Sequence, residues 1–231
     1  MPAPIAENLA AVRERIAAAA CRSGRLPEAV QLVAVSKTMP ASAVVEAVRA
    51  GQRLFGENRV QEALAKIEQV GPGPVWHLVG HLQSNKARFV PGSFAAVHSV
   101  DSERIAQALQ HHAAIAGGNL DVYVQLNWSQ EDTKSGVTDE AALRRLVDVI
   151  AGCPNLTLKG LMTLPAQHLS EAETRRAYAG IRNLHAGLSA EFALGPAFCE
   201  LSMGMTHDFE WAIEEGATIV RVGTAIFGAR P

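Results

Sequence analysis

Lys37 stands at the end of a short apolar run near the start of the chain, Leu32-Val33-Ala34-Val35-Ser36-Lys37. A charged lysine at the end of a buried strand is costly to desolvate, so such a site can hold part of its amine neutral. A neutral amine is a nucleophile towards aldehydes. The position of Lys37 therefore points to covalent chemistry with a carbonyl compound.

A second group of chemically useful residues lies near the other end of the sequence. It combines small residues, hydroxyls and one cation: Ser202, Gly204, Arg221, Gly223 and Thr224. Glycine allows the main chain to approach an anion closely, and backbone N–H groups can then converge on its oxygens. These are the groups that a phosphate needs. Together with Lys37, they suggest a ligand that is an aldehyde and carries a phosphate.

Composition excludes several other classes of protein. The chain has 231 residues, of which 48% are hydrophobic, and a formal net charge of −2 without a long basic block. We therefore expect one large core and no nucleic-acid partner. The three scattered cysteines argue against a disulfide framework or a zinc site. We find no signal peptide and no apolar stretch of about 20 residues, so we expect a cytoplasmic protein without a membrane span.

The pattern of apolar residues predicts strands that alternate with helices. An amphipathic helix comes first, with Ile5, Leu9, Val12 and Ile16 at helical spacing. Eight candidate strands follow at residues 31–37, 53–57, 75–80, 95–100, 121–127, 156–163, 198–202 and 218–227, and helical segments separate them. Alternation of this kind implies a parallel sheet. We predict an α/β protein that is a single (β/α)8 TIM-type barrel over residues 1–231, with an extra N-terminal helix.

A doubly wound sheet is the main alternative to the barrel, and its Rossmann form is weakened because no GxGxxG follows the first strand. In a barrel, the active face is built by the C-terminal ends of the strands. Lys37, Asn58 and His81 follow early strands on that face, and the Ser202 and Gly223 segments follow late ones.

Arg221 is placed differently, because it lies inside the eighth strand between two valines. If those valines face the outer helices, Arg221 points into the barrel. Other readings stay open for the remaining residues: Lys37 as a surface lysine, Asn58 as a helix cap, and His77, His81 and His98 as core histidines. Arg221 is the hardest to dismiss, because an unpaired buried guanidinium is expensive.

Several longer strings resemble the pyridoxal phosphate homeostasis proteins, a family related to the N-terminal domain of alanine racemase. They are Val33-Ala34-Val35-Ser36-Lys37-Thr38, Phe55-Gly56-Glu57-Asn58-Arg59-Val60-Gln61-Glu62, the segment from Trp76 to Lys86, His98-Ser99-Val100-Asp101, Leu201-Ser202-Met203-Gly204-Met205 and the segment from Val220 to Gly228. The similarity extends over essentially the whole chain.

The resemblance implies a barrel that binds pyridoxal 5′-phosphate (PLP) through an aldimine with Lys37. It implies that Ser202, Gly223 and Thr224 hold the phosphate, with Gly204 in the same loop, and that Arg221 faces the pyridine nitrogen. Asn58 and His81 match positions close to the cofactor. The implied role is to buffer free PLP and deliver it to apo-enzymes, without an established reaction. We expect a monomer, and we read Lys134 as solvated, with a second PLP site there as the alternative.

Two other functions stay open at this point. The first is a PLP-dependent amino-acid racemase; such an enzyme needs a second acid/base, and neither tyrosine of the chain, Tyr123 or Tyr178, is an evident candidate. The second is a phosphosugar aldolase in which Lys37 forms a Schiff base with substrate.

Overall fold

Eight parallel strands form a closed barrel in the order of the sequence, and the last strand pairs with the first. The computed structural model describes residues 4–129, 135–165 and 169–229. The strands are β1 (Gln31–Val35), β2 (Leu54–Glu57), β3 (Val75–Leu78), β4 (Ala96–Val100), β5 (Leu120–Leu126), β6 (Leu156–Thr163), β7 (Glu200–Ser202) and β8 (Ile219–Val222).

Helices surround the barrel. Within the described residues these are α1 (Ile5–Arg22), α2 (Ala41–Arg49), α3 (Val60–Val70), α4 (Glu103–Ala116), α5 (Glu140–Ala151), α6 (Glu171–Glu191), α7 (Phe209–Glu214) and α8 (Thr224–Phe227). Two short 3-10 helices cover Pro27–Ala29 and Ser84–Phe89. The predicted barrel with an added N-terminal helix is confirmed. In the described part of the chain, no helix is both long and apolar enough to cross a membrane.

Alternation along each strand divides the core into two layers. Residues of one phase, such as Ala34, Phe55 and Val220, pack against the helices in the outer layer. Residues of the other phase fill the inside of the barrel, where the buried apolar members are Val33, Val79, Ala96, Tyr123, Met162 and Ile219. Polar residues of this inner phase are therefore held inside the barrel or at its rim.

The N-terminal helix α1 packs against α7 and α8 and closes the outer layer there. Its buried face includes Leu9, Val12 and Ile16, as the helical spacing predicted. The Asn8 amide donates to the carbonyl of Ile226 at 2.9 Å, and Arg15 pairs with Glu210 at 2.7 Å. The helix therefore braces the short segment that follows β8.

Several predicted strand boundaries were wrong, most of all that of β8. The eighth strand was expected to continue to Phe227, but it ends at Val222 and the chain turns into α8 at Thr224. The pattern of a four-residue apolar segment fits a strand and a helix equally well. The hydrogen bond from the Phe227 N–H to the Gly223 carbonyl has helical spacing, so this segment is a helix. β1 ends at Val35, before Lys37, and the helical segment expected between the third and fourth strands is the 3-10 helix Ser84–Phe89.

Replacement of Leu9 by Ala should measure how much α1 contributes to stability. Leu9 is 0% exposed, so we expect its truncation to lower the free energy of unfolding by about 2–5 kcal/mol in urea denaturation. Leu26→Ala is the matched control, because Leu26 is 74% exposed and its loss should change the value by under about 0.5 kcal/mol. Equal effects of the two changes would contradict a packed role for α1.

Candidate functional site

Lys37 follows β1 at the C-terminal end of the barrel. Val33 belongs to the inner layer of the core, and Val35 packs against that layer. The same alternation places Ser36 on the outer side, where it is buried. A bond from the Ser36 N–H to the Gly56 carbonyl at 3.0 Å continues the β1–β2 ladder to this point. Lys37 follows directly and is half-buried, so it lies at the rim of the barrel where β1 ends.

Arg221 lies inside the barrel, as its two valine neighbours predicted. It pairs across the ladder with Val33 of β1 and is 4% exposed. Its Nη1 donates to Ser202 Oγ at 2.7 Å, and its Nη2 donates to the Thr163 carbonyl at 2.8 Å. Burial lowers the pKa of Arg221 to about 10, which still leaves the guanidinium charged at neutral pH. Nearby Tyr178 and Asp208 act in the opposite direction and favour its charge.

Two histidines extend this contact across the barrel. His98 Nδ1 lies 2.8 Å from Ser202 Oγ, and His98 Nε2 lies 2.9 Å from His77 Nδ1. Burial lowers the pKa of His77 to about 4. Burial, then His77 and Arg221, holds the pKa of His98 well below its usual range. Both rings are therefore neutral at pH 7 and can act as one donor and one acceptor each.

Two arrangements of protons satisfy every contact in this chain, and both leave the rings neutral. In one, Ser202 Oγ accepts from Arg221 and donates its own proton to His98 Nδ1, while the His98 Nε2–H donates to His77 Nδ1. In the other, the His77 Nδ1–H donates to His98 Nε2, and the His98 Nδ1–H donates to Ser202 Oγ. We call Arg221, Ser202, His98 and His77 the interior chain. It connects the guanidinium to the opposite side of the barrel without placing a second charge there.

The loop after β7 is held in a conformation that requires glycine. Gly204 has φ +95°, and a Cβ at this position would lie 2.6 Å from the Ala212 Cβ. The Asp208 carboxylate accepts from the Met205 N–H at 2.6 Å and from the Tyr178 hydroxyl at 2.9 Å. Asp208 therefore fixes the loop instead of capping α7 through its side chain.

Backbone donors collect where β7 and β8 end. Gly223 is the N-cap of α8, and no side chain caps this helix. The N–H groups of Gly223 and Thr224 lie at the start of α8, where a helix has no internal acceptor for them. The Gly204 N–H, just after β7, lies against the Tyr178 hydroxyl. Helix-start donors at the end of a barrel strand suit an anion such as a phosphate.

The remaining predicted residues lie on the neighbouring part of the rim. Asn58 is half-buried after β2, and the N-cap of α3 is Arg59, not Asn58. A Cβ on Gly80 would overlap the Asn58 carbonyl oxygen, so Gly80 allows the two loops to touch. His81 is exposed, with its Nδ1 3.1 Å from Ser135 Oγ and 3.4 Å from Asp101 Oδ2.

The predicted site residues therefore follow, or lie within, five consecutive strands, β7, β8, β1, β2 and β3. Arg221 and Ser202 are in direct contact. Lys134 lies outside the described residues. Within those residues, no group of three His, Cys, Asp or Glu side chains could hold a metal ion.

Sequence reasoning missed that His77 and His98 connect to Arg221. The sequence did indicate that His77 points into the barrel, because it lies between Trp76 and Leu78, which face outward. The long-range partners themselves could not be read from that pattern.

Comparison with known proteins identifies a family that matches nearly the whole chain. Residues 7–231 match the family described as "Alanine racemase, N-terminal domain". The pyridoxal phosphate homeostasis protein of Escherichia coli (strain K12) is 47% identical, covering 98% of this chain and 97% of its own length. The protein of the same name from Pseudomonas aeruginosa is also 47% identical, covering 98% of this chain and 96% of its own.

Solved structures agree with the sequence comparisons. PipY of Synechococcus elongatus, in the form with PLP bound, is 41% identical with a TM-score of 0.86, covering 97% of this chain and 100% of that one. Alanine racemase from Bartonella henselae, with covalently bound pyridoxal phosphate, has a TM-score of 0.71 at 17% identity, covering 98% of this chain and 59% of that one. This second likeness shows a shared barrel fold alone.

Replacement of Ser202 by Ala should test the interior chain. It removes an acceptor from a buried guanidinium and leaves His98 Nδ1 without its partner, so we expect the free energy of unfolding to fall by about 1–3 kcal/mol. Ser42→Ala, at an exposed position of α2, should change it by under about 0.5 kcal/mol. Denaturant unfolding of both variants provides the measurement, and an unaffected Ser202→Ala protein would contradict the chain.

The neutral histidines also predict a pH dependence of stability. The unfolded imidazole takes up a proton near its ordinary pKa of about 6.5. Folded His77 takes it up only near pH 4, so the free energy of unfolding should fall as pH drops through this window. His77→Gln should reduce the slope of the free energy of unfolding against pH in this window by up to about 1.4 kcal/mol per pH unit. Exposed His111→Gln should leave the slope as it is; equal slopes for the wild type and His77→Gln would refute the prediction.

Proposed function

Because this chain belongs to the pyridoxal phosphate homeostasis proteins, within the alanine racemase N-terminal domain family, we propose that it binds PLP through Lys37. The observation that supports this most is the position of Lys37 two residues after β1, the strand that pairs with the strand of Arg221 and whose end lies against Gly223. PipY, which is 41% identical to the chain, has been solved with PLP bound. Residues 1–231 would act as one PLP-binding barrel domain.

The role of Lys37 is nucleophilic. Its amine nitrogen attacks the aldehyde carbon of PLP, a C=N bond forms, and the aldehyde oxygen leaves as water. The link is reversible by the same route in water, which suits a protein that both takes up and releases its ligand. PLP supplies an electron sink when it is bound, and that sink is strongest when the ring nitrogen is protonated.

The role of Arg221 is to face the ring nitrogen as a donor. A guanidinium has five N–H donors and no acceptor, and two of those donors are engaged by Ser202 and Thr163. A remaining donor can hydrogen-bond an unprotonated ring nitrogen, whereas a protonated one would meet a like charge. Arg221 would therefore keep the ring nitrogen unprotonated and the sink weak.

The phosphate would be held by the loops after β7 and β8. Gly223 and Thr224 would contribute backbone N–H donors from the start of α8, and Gly204 would allow the loop after β7 to approach the phosphate closely. The Ser202 hydroxyl is already bonded to Arg221 and His98, so a phosphate contact from it would require one of those bonds to be exchanged. Asn58 and His81 would flank the cofactor from the β2 and β3 side of the rim.

Holding the cofactor without catalysis fits the engagement of the two tyrosines of the chain. The Tyr123 hydroxyl donates to Glu200, and burial and then this bond raise its pKa. The Tyr178 hydroxyl donates to Asp208, and burial and then that carboxylate raise its pKa. Neither hydroxyl is free to exchange protons with a substrate. We therefore propose a non-catalytic, monomeric, cytoplasmic protein that buffers PLP and delivers it to apo-enzymes.

Titration of the purified protein with PLP tests this proposal. We expect a visible absorbance band that borohydride abolishes, with the mass of the reduced cofactor on the peptide that contains Lys37. Lys37→Ala should lose both signals, and Lys86→Ala, on the 3-10 helix Ser84–Phe89, should keep them. A wild type that stays colourless and unlabelled would refute the proposal.

The same preparation distinguishes the alternative functions. Racemisation of alanine or serine at rates typical of enzymes would favour a racemase. Borohydride trapping of a sugar phosphate on Lys37, without trapping of PLP, would favour an aldolase.

A further inference from the structure

Lys37 lies in a tight turn whose backbone is tied on both sides. The Met39 N–H donates to the Ser36 carbonyl at 3.0 Å, which makes Ser36 and Met39 the ends of a four-residue turn. On the side before Lys37, the Ser36 carbonyl also accepts from Lys66 Nζ at 2.7 Å. The Ser36 hydroxyl donates to Glu57 Oε1 at 2.6 Å. Ser36, the residue before the lysine, is therefore held by two charged side chains, one at its carbonyl and one at its hydroxyl.

On the side after Lys37, the backbone adopts a conformation that its residue disfavours. Thr38 has φ +64°, in the left-handed region that glycine occupies easily and β-branched residues rarely do. The Thr38 N–H donates to Glu62 Oε1 at 2.6 Å. A charge-assisted bond of this length can stabilise a turn that Thr38 would not adopt by itself.

The groups that hold the two sides are connected to each other. Lys66 Nζ lies 2.6 Å from Glu57 Oε1 and 3.5 Å from Glu62 Oε1. The side chains of Lys66 and Glu57 are buried, and that of Glu62 is 31% exposed. We call Glu57, Glu62 and Lys66 the turn clamp. Its members come from the end of β2 and the first turns of α3, so they form one local unit.

We propose that the turn clamp positions Lys37 for its reaction with PLP, with Glu62 as the member that fixes the side after the lysine. The inference rests on the proposed function and adds positioning residues to it. A network that only fastened α3 to the barrel would need the Glu57–Lys66 pair but no bond to the Thr38 peptide. The bond from Glu62 instead holds a strained residue directly beside the reacting amine, where a small displacement costs rate and affinity.

Glu62→Ala is the primary variant, because Glu62 is partly exposed and its loss leaves the buried Glu57–Lys66 pair intact. We expect its affinity for PLP, measured from the visible absorbance, to fall about tenfold, as expected for loss of a hydrogen bond to a charged group. Glu62→Gln should keep most of the affinity, since its amide oxygen still accepts from Thr38. Glu68→Ala is the matched control: it removes the same charge from an exposed site on α3 and should bind as the wild type does.

A second pair of measurements separates positioning from general stability. Thr38→Gly in the Glu62→Ala background should recover affinity, because glycine adopts the left-handed conformation without the clamp. In the protein without PLP, Glu62→Ala should shift the pH profile of Lys37 acetylation, followed by mass spectrometry, while its unfolding midpoint stays close to that of Glu68→Ala.

The outcomes also distinguish this inference from the function on which it rests. If wild type binds PLP on Lys37 while Glu62→Ala matches it in affinity and in the acetylation profile, the positioning role is overturned and the proposed function stands. If Lys37→Ala retains the visible band, the proposed function fails instead. A shifted acetylation profile in Glu62→Ala would still support the clamp in that case, because this measurement needs no PLP.

Discussion

A charged guanidinium in the centre of the barrel is the constraint on which the rest of the interior depends. Arg221 cannot lose its proton at neutral pH, so its burial is tolerable only because acceptors surround it. The Ser202 hydroxyl and the Thr163 carbonyl provide them directly, and Asp208 adds a favourable charge nearby. The same positive charge disfavours protonation of His98, so the polar residues that continue the chain are neutral. The centre of the barrel thus carries one charge and a series of hydrogen bonds.

The direction of Arg221 could be predicted because it depends on period-two alternation between Val220 and Val222, which is local. The partners of Arg221 could not be predicted in the same way. Ser202 and His98 are 104 residues apart, and their contact depends on the stagger with which the barrel closes. The eight strands and the N-terminal helix followed from local patterns, whereas β8 was extended too far because a four-residue helix leaves no periodicity to detect.

The turn around Lys37 shows a different limit of sequence reasoning. Lys66 and Glu62 have the i, i+4 spacing of a surface ion pair on a helix, and such a pair stabilises little by itself. The pair gains importance because Lys66 also bonds to Glu57, which belongs to another element and is buried, so that Lys66 is buried as well. The left-handed conformation of Thr38 also has no local cause, since threonine favours neither that region nor a tight turn of this type. It follows from the carboxylate that α3 presents to its N–H.

The turn also brings Lys66 close to the backbone beside Lys37, and the two lysines have different surroundings. The ammonium group of Lys66 donates to the Glu57 carboxylate and the Ser36 carbonyl and is buried. A protonated amine has no lone pair to offer an aldehyde, and Lys66 is engaged by these two acceptors. Lys37 is half-buried in the same turn, after the strand that pairs with the strand of Arg221. In the proposed function, the Glu57 carboxylate therefore keeps Lys66 engaged, and Lys37 is the amine that meets the aldehyde.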